Sequence, residues 1–280
     1  IPLIDSSFGF ATSCEVAAEQ IQAAYIEATG VINGVGLIKL MGRDSGYIAM
    51  KASLAHQGVD FCLVPENPYE LNGPNGLYAQ IYEKVKSQGH AVVVVAEGAE
   101  TGLINPDERF TKAADKDGSG NAKLEDIGLV LKDKIVNVIK EKYGFTVNLK
   151  YLDPTYLIRS PPSNAADTVM CAKLAQNAVH GAMAGFTAFS TGIVKNAVSY
   201  IPIKTINQAG VNKISIYDRI FQRLLGSIKQ RPMINPEFQE KAKERIQHDE
   251  EEKMKRMDVL KGRILQEDRE RENLNKSIKF

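Results

Sequence analysis

A glycine–arginine pair directly follows a short apolar strand in the first fifty residues of the chain. The predicted strand Val35–Leu40 ends at Met41-Gly42-Arg43, and a helix-like segment begins soon afterwards. In an open parallel sheet, ligands bind beyond the carboxyl ends of the strands. Gly42 allows close approach of the backbone to a ligand, and the forked cation of Arg43 suits a phosphate group. Taken alone, this arrangement is a weak indication of a site.

A carboxylate follows the most apolar strand of the sequence. Residues 91–96 read Ala-Val-Val-Val-Val-Ala, a pattern typical of a strand buried on both faces in a parallel sheet. Glu97 and Gly98 come next, so we expect Glu97 at the same edge of the sheet as Arg43. Its carboxylate suits the hydroxyl groups of a ligand, and capping of the following turn is an equal alternative.

A second arginine lies in a proline-rich segment before a long predicted helix. Tyr156 and Arg159 are followed by a Ser-Pro-Pro-Ser-Asn run, whose prolines favour an extended, turn-rich path. Ser163 or Asn164 is suited to cap a helix over Ala165–Met183. An arginine beside a helix start can bind an anion, because the free N–H groups and the helix dipole favour negative charge there. Pairing of the arginine with a nearby aspartate is the common alternative.

The three segments together resemble, in this order, the sugar-phosphate motifs of the 6-phosphofructokinase family. They read Met41-Gly42-Arg43, Ala96-Glu97-Gly98 and Tyr156-x-x-Arg159. The similarity extends from residue 1 to about 206, and further support comes from residues 4–10, 117–121 and 176–185. The chain looks closest to the long-chain group that includes plant and kinetoplastid ATP-dependent enzymes and related pyrophosphate-dependent ones.

The resemblance implies a glycolytic enzyme that transfers a phosphoryl group from ATP to the C1 hydroxyl of fructose 6-phosphate, with Mg²⁺ as cofactor. It assigns substrate contacts to Met41, Gly42, Arg43, Glu97, Tyr156 and Arg159. Arg159 would bind the 6-phosphate with help from Tyr156, Glu97 would hold sugar hydroxyls, and Met41 and Gly42 would line the sugar. Arg43 would also stabilise charge on the transferred group, the one catalytic role in this chain.

The family's catalytic aspartate precedes the first residue of this sequence. In the family a Thr-Ile-Asp-Asn-Asp element directly precedes a segment like residues 1–5, and the donor-binding glycines lie earlier still. We therefore expect the amino-terminal portion of the same enzyme as a partner that holds the donor and most of the Mg²⁺ contacts. Three alternatives stay open: a pyrophosphate-dependent enzyme, a non-catalytic sugar-phosphate-binding chain that needs a partner, and an oligomer-forming structural fragment.

Two positions depart from the bacterial members of the family. Thr168 stands where they carry a second arginine, and Gly34 stands where they carry an arginine that reaches a neighbouring subunit. How the 6-phosphate is fully neutralised is therefore open. Lys39, Lys204 and a cation from a neighbouring subunit are the candidates.

Strand and helix patterns alternate along the chain, which predicts an α/β fold. We expect doubly wound parallel sheets in two domains, with a long charged helix at the carboxyl end. The resemblance implies a remnant of the donor-binding domain at 1–13, a sugar-phosphate-binding domain at 14–159, a return to the donor-binding domain at 160–206 and a helical arm at 207–280. The apolar stripe within the arm suits packing on another subunit, so we expect a homo-oligomer, a tetramer or a dimer; a solvated helix with one apolar stripe is the alternative. The resemblance also implies allosteric control.

The composition limits the compartment and the partners. A net charge of +1 gives no field over the whole chain that would attract nucleic acid or an acidic membrane. No apolar run has the length of a membrane span. The three widely spaced cysteines, without paired spacing, favour reduced and buried thiols. We therefore expect a cytoplasmic protein without nucleic-acid or membrane partners.

Overall fold

The computed structural model describes residues 3–109, 124–256 and 258. The chain divides into two compact units. The larger unit comprises the described residues of Gly9–Asp167 and Lys213–Ala242. The smaller comprises those of Ile1–Phe8, Thr168–Asn212 and Lys243–Phe280. Residues 117–121, which supported the family resemblance, and the predicted helix beyond 258 lie outside the described residues.

The larger unit is a four-stranded parallel sheet with helices on both faces. In chain order its elements are α1 (Phe10–Thr29), β1 (Gly34–Leu40), α2 (Tyr47–Ala55), β2 (Phe61–Leu63), α3 (Leu77–Gln88), β3 (His90–Ala96), α4 (Ile127–Tyr143), β4 (Asn148–Leu152), α5 (Thr155–Arg159) and α8 (Arg219–Ile228). Short 3₁₀ helices occupy Ala99–Gly102, Pro106–Glu108 and Pro236–Phe238. None of the helices within the described residues has the length and hydropathy needed to cross a bilayer.

The strand order in this sheet is β2-β3-β1-β4. The path from β1 to β2 moves across the sheet in one direction, whereas the path from β3 to β4 moves in the other. Because crossovers between parallel strands are right-handed, opposite directions place the connecting helices on opposite faces. Accordingly, α1 packs with α2 and α3 packs with α4. The α/β architecture with a parallel sheet, expected from the sequence, is confirmed.

The central strand pair is buried at every position except Lys39 and His90, which are partly buried. β1 pairs with β3 from Gly34 opposite His90 to Leu40 opposite Ala96. The valines of β3 are inaccessible to solvent, as its unbroken apolar run predicts. Each buried valine contributes about 1.5–3 kcal/mol through removal of apolar surface from water.

The smaller unit contains an antiparallel hairpin, which differs from the parallel strands that we expected. α6 (Ala165–Met183) runs into this unit and is followed by β5 (Phe189–Val194), β6 (Ala197–Pro202) and α7 (Ile203–Ala209). β5 and β6 pair antiparallel and are joined by Lys195 and Asn196 alone. Both of these residues have positive φ, 50° and 63°, which defines the two-residue turn that suits the twist of a hairpin. Residues 239–256 of the charged carboxyl-terminal region are helical.

Residues 213–242 cover the edge of the parallel sheet. The Cys62 N–H on edge strand β2 donates to Gln230 Oε1 at 2.7 Å, so a side-chain amide takes the place of another strand. The Glu70 N–H donates to the Met233 carbonyl at 2.8 Å. These bonds satisfy backbone groups that an edge strand otherwise exposes. We predicted a helical arm over 207–280. The structure differs in that residues 213–242 pack within the larger unit.

The three cysteines are free thiols. Cys14 and Cys62 are buried, and burial raises the pKa of each thiol to about 12. Cys171 is exposed on α6, against the expectation that all three are buried. The apolar residues next to Cys171 in the sequence led to the wrong prediction, because this part of α6 lies on the surface and not in the core.

The start of α6 is joined to the start of α1 by a buried carboxylate. Asp167 accepts hydrogen bonds from the Thr12 N–H at 2.8 Å and the Thr12 hydroxyl at 2.5 Å. Asn164, one of the two predicted caps, accepts from the Asp167 N–H at 2.9 Å. Burial acts to raise the pKa of the Asp167 carboxyl, but hydrogen bonds from Thr12 and the Gly9 N–H outweigh it and hold the pKa below its usual range.

The turns after β1 and β3 pack directly against each other. The Glu97 N–H donates to the Leu40 carbonyl and the Gly98 N–H donates to the Gly42 carbonyl, each at 2.9 Å. A Cβ at position 98 would lie 1.7 Å from the Arg43 carbonyl oxygen. Only glycine at position 98 therefore permits this approach.

Substitution of Gly98 by alanine should destabilise the larger unit by about 2 kcal/mol, because the Arg43 backbone has to move. Gly226→Ala is the matched control: Gly226 lies on α8 with nothing within 4 Å of the added methyl, so the substitution should be neutral or stabilise by up to about 1 kcal/mol. Denaturant unfolding measures both changes. Equal effects of the two substitutions would contradict the close packing of these turns.

Asp167→Asn should remove a pH-dependent part of the stability. A carboxyl whose folded pKa is lowered contributes stability above its unfolded pKa of about 3.9, and this contribution is lost as pH falls through the folded pKa. The wild type should therefore exceed the variant by about 1–2 kcal/mol at neutral pH. Urea unfolding near pH 3 should find a smaller difference, and a difference that does not change with pH would refute the role of the charge.

Candidate functional site

The carboxyl ends of β1 and β3 form a switch point in the sheet. These two strands are neighbours, yet α2, which follows β1, and α4, which follows β3, lie on opposite faces. In open α/β sheets, diverging connections of this kind mark the strand ends near which ligands bind. The segments after these strands are the ones that carry Arg43 and Glu97.

The loop that carries Arg43 is fixed at both ends. At its start Gly42 has φ 143°, a conformation that disfavours other residues, and its carbonyl accepts the Gly98 N–H. At its end the Gly46 N–H donates to both carboxylate oxygens of Glu66, at 3.2 and 3.1 Å. Arg43 itself is half-buried. Its backbone position is thus set by the neighbouring strand and by a buried carboxylate.

Glu66 joins this loop to the carboxyl-terminal segment. The Glu66 carboxylate also accepts the Ile214 N–H at 3.0 Å, and the Tyr47 hydroxyl donates to the Lys213 carbonyl at 3.2 Å. Burial raises the pKa of the Glu66 carboxyl, although three backbone hydrogen bonds and the charge of Lys213 oppose that shift. We did not single out Glu66 from the sequence. The pattern that identified Glu97, a glutamate just beyond a buried strand, also applies to Glu66.

Glu97 lies beside the Arg43 loop at the end of β3. It directly follows Ala96, which pairs with Leu40, so Glu97 and Met41 leave the sheet at the same level. Both side chains are half-buried. The two residues therefore lie next to each other's strand at the edge where β1 and β3 end.

Tyr156 and Arg159 lie on a short helix rather than on the extended path that we expected. α5 follows β4, and β4 pairs with β1, so α5 begins at the same edge of the sheet. Three positions separate the two residues, which places them on one helix face. Both are exposed, Tyr156 to 82%, while Ile158 between them is buried. Just before the helix, Asp153 Oδ1 accepts the Thr155 N–H at 3.2 Å.

Lys39, one of the cations considered for the 6-phosphate, is paired with two carboxylates. Its Nζ lies 2.7 Å from Asp126 Oδ2 and 2.8 Å from Asp153 Oδ2. Burial acts to lower the pKa of Lys39, but the hydrogen bonds and charges of both aspartates outweigh it and raise the pKa. The same contacts lower the pKa values of Asp126 and Asp153 against the opposing effect of burial. Lys39 is therefore not a spare cation for a phosphate.

The other positions considered for neutralisation of the 6-phosphate are Gly34, Thr168 and Lys204. A Cβ at Gly34 would lie 1.9 Å from the Ala28 carbonyl oxygen, so the packing of α1 on β1 leaves no room for a side chain there. Thr168 and Lys204 belong to the smaller unit.

Metal-ligating side chains do not cluster within the part of the chain that the structure describes. In residues 3–109, 124–256 and 258, no group of three or more His, Cys, Asp or Glu side chains is arranged to hold a metal.

The six residues singled out in the sequence lie in one unit, after three neighbouring strands. They are Met41, Gly42, Arg43, Glu97, Tyr156 and Arg159. Two arginines, one carboxylate and one phenol at a switch point suit a small polyhydroxylated anion. Arginine pairs bidentately with phosphate, and carboxylates accept hydroxyl donors.

The chain is similar to enzymes from plants and kinetoplastids. ATP-dependent 6-phosphofructokinase 1 of Arabidopsis thaliana is 49% identical over 230 residues, which cover 82% of this chain and 48% of the relative. ATP-dependent 6-phosphofructokinase of Trypanosoma cruzi is 40% identical over 201 residues, 71% of this chain and 39% of the relative. The chain thus spans about half the length, or less, of these curated relatives.

Solved structures share the fold at lower identity. The pyrophosphate-dependent phosphofructokinase from Nitrosospira multiformis superposes with a TM-score of 0.57 at 19% identity, over 84% of this chain and 59% of that one. The sequence profile of the phosphofructokinase family matches residues 1–182, which include all six candidate residues. On this match, together with the α/β fold and the relatives, the chain belongs to the phosphofructokinase family.

Proposed function

We propose that this chain supplies the sugar-phosphate site of an ATP-dependent 6-phosphofructokinase. The observation that carries the proposal is the meeting of three separate segments at the carboxyl edge of one sheet. Met41–Arg43 follow β1, Glu97 follows β3, and the α5 pair Tyr156 and Arg159 follows β4. Strand β1 pairs with both β3 and β4.

The proposed acceptor is fructose 6-phosphate, a sugar with several hydroxyls and one strongly anionic group. Arg159, exposed at the end of α5, binds the 6-phosphate, and Tyr156 on the same helix face helps to orient it. Glu97 accepts hydrogen bonds from sugar hydroxyls. Met41 and Gly42 line the sugar beside Glu97.

Arg43 acts on the group that is transferred. Phosphoryl transfer depends on alignment of donor and acceptor and on stabilisation of charge over the equatorial oxygens. A guanidinium in a loop held at both ends supplies that charge without reorganisation during the reaction. The fixed backbone at Gly42 and Gly46 favours this role for Arg43.

ATP is the proposed donor because the relatives at 40–49% identity are named as ATP-dependent. The likeness to pyrophosphate-dependent enzymes, at 19–20% identity, supports the fold alone. The donor, the general base and Mg²⁺ are held by the amino-terminal portion of the same enzyme in this proposal. That portion makes the donor-binding domain with residues 1–13 and 160–206, while 14–159 form the sugar-phosphate domain.

Assembly and location are part of the proposal. We propose an allosteric homo-oligomer in the cytoplasm, to which the charged carboxyl-terminal helix contributes contacts. The helical residues 239–256 and the free thiols agree with these assignments.

Arg159→Ala should weaken fructose 6-phosphate binding by about 1.5–3 kcal/mol, the value of a hydrogen bond to a charged group. ATP binding should be nearly unchanged, because Arg159 contacts only the acceptor. Isothermal titration calorimetry of the catalytically competent protein measures both affinities. Arg223→Ala, which removes the same charge from the exposed face of α8, is the matched control and should preserve both. Unchanged sugar-phosphate affinity in Arg159→Ala would remove Arg159 from the site.

Glu97→Gln should weaken fructose 6-phosphate more than inorganic phosphate. A carboxylate accepts two hydroxyl donors, whereas an amide offers one acceptor oxygen and presents a donor in place of the other. Competition binding with the two ligands separates the sugar contacts from the phosphate contacts. Equal losses for both ligands would assign Glu97 a structural role.

A further inference from the structure

We propose that Lys39 is a positioning residue for the substrate-binding helix α5. Lys39 touches no substrate in this proposal: it holds Asp153, which accepts hydrogen bonds from Thr155, the first residue of α5, and thereby sets where Arg159 lies relative to Arg43. The inference rests on the proposed function, since it concerns placement of the sugar-phosphate contacts.

Lys39 links β1 and β4, the two strands whose following segments carry the two arginines of the candidate site. Lys39 is the penultimate residue of β1, four residues before Arg43 in the chain, and its side chain is only 12% exposed. Asp153 directly follows β4, whose Leu152 pairs with Ile38 of β1. The 2.8 Å contact between Lys39 Nζ and Asp153 Oδ2 therefore extends the pairing of the two strands beyond their last backbone partners.

Asp153 connects this ion pair to the helix. One carboxylate oxygen contacts Lys39, and the other accepts hydrogen bonds from the Thr155 N–H and hydroxyl at the first position of α5. A five-residue helix has little stability of its own, because nucleation is costly and few bonds follow. Its placement thus depends on the buried side chain of Ile158 and on the Asp153 turn.

Asp126 makes the arrangement rigid from the other side. Its Oδ2 contacts Lys39 at 2.7 Å, while its Oδ1 accepts the Gly128 N–H of α4 at 3.0 Å and the Tyr151 hydroxyl of β4 at 2.9 Å. Lys39 is therefore held between two carboxylates that are both fixed by other groups. A cation fixed in this way restrains Asp153 more firmly than a mobile surface lysine would.

The test measures Michaelis constants in the catalytically competent protein. Lys39→Met should raise KM for fructose 6-phosphate about tenfold, about 1.4 kcal/mol, and leave KM for ATP within twofold. Asp153→Asn keeps an acceptor for the Thr155 N–H but loses the charge, and should act in the same direction. Lys39→Arg, which retains a cation, should restore KM to within threefold of the wild type.

A matched control separates positioning from general destabilisation. Lys84 Nζ pairs with the buried Asp60 at 3.1 Å, at the amino end of β2 and so at the opposite edge of the sheet. Lys84→Met removes the same kind of pair and should lower the melting temperature without changing KM for fructose 6-phosphate.

A double-mutant cycle with Arg159 supplies the decisive readout. If Lys39 acts through Arg159, Lys39→Met should add no further factor to KM in the Arg159→Ala background. Full multiplication of the two effects, or an unchanged KM in both Lys39→Met and Asp153→Asn, would overturn the inference. A wild type that neither binds nor phosphorylates fructose 6-phosphate would instead overturn the proposed function, and with it the inference.

Discussion

The parallel pairing of β1 with both β3 and β4 is the constraint on which the rest of the structure depends. Parallel strands end at the same edge, so this pairing brings together segments that follow residues 40, 96 and 152 of the chain. The strand order also makes the helices after β1 and β3 diverge, which is the arrangement of a switch point. The candidate residues follow neighbouring strands because of topology, not because they are near in sequence.

Backbone packing then fixes the positions of the turns at this edge. The contact of the two turns at Gly42 and Gly98 leaves no space for another side chain, and Glu66 holds the far end of the Arg43 loop. The free energy that maintains this geometry comes from the buried strands beneath it, above all the valines of β3. A stable apolar sheet thus supports the polar edge that carries the candidate residues.

The charges at this edge differ in their partners. Lys39 pairs with Asp126 and Asp153, so its charge is used within the fold. Arg159 is exposed on α5, where we propose that it binds a phosphate. The sequence alone did not separate these roles, because a lysine and an arginine both suit a phosphate until their partners are known.

The local sequence pattern was enough to predict the parallel sheet and to indicate the candidate residues at its edge. The unbroken valines predicted β3, and a glycine or carboxylate after each strand indicated the candidate residues. What local pattern missed depends on distant partners: the pairing of Lys39 with Asp126 and Asp153, and the packing of 213–242 on β2. The hairpin of β5 and β6 was missed for a different reason. Its turn, Lys195-Asn196, lacks the glycine that marks most turns of this kind.

The most direct test of the central claim is a crystal structure of the catalytically competent protein with fructose 6-phosphate bound. The account predicts the sugar at the carboxyl edge of the sheet, beside the turns after β1 and β3, with its hydroxyls on Glu97 and its phosphate on Arg159 of α5. A sugar phosphate bound elsewhere, with Glu97 and Arg159 both free of it, would contradict the account.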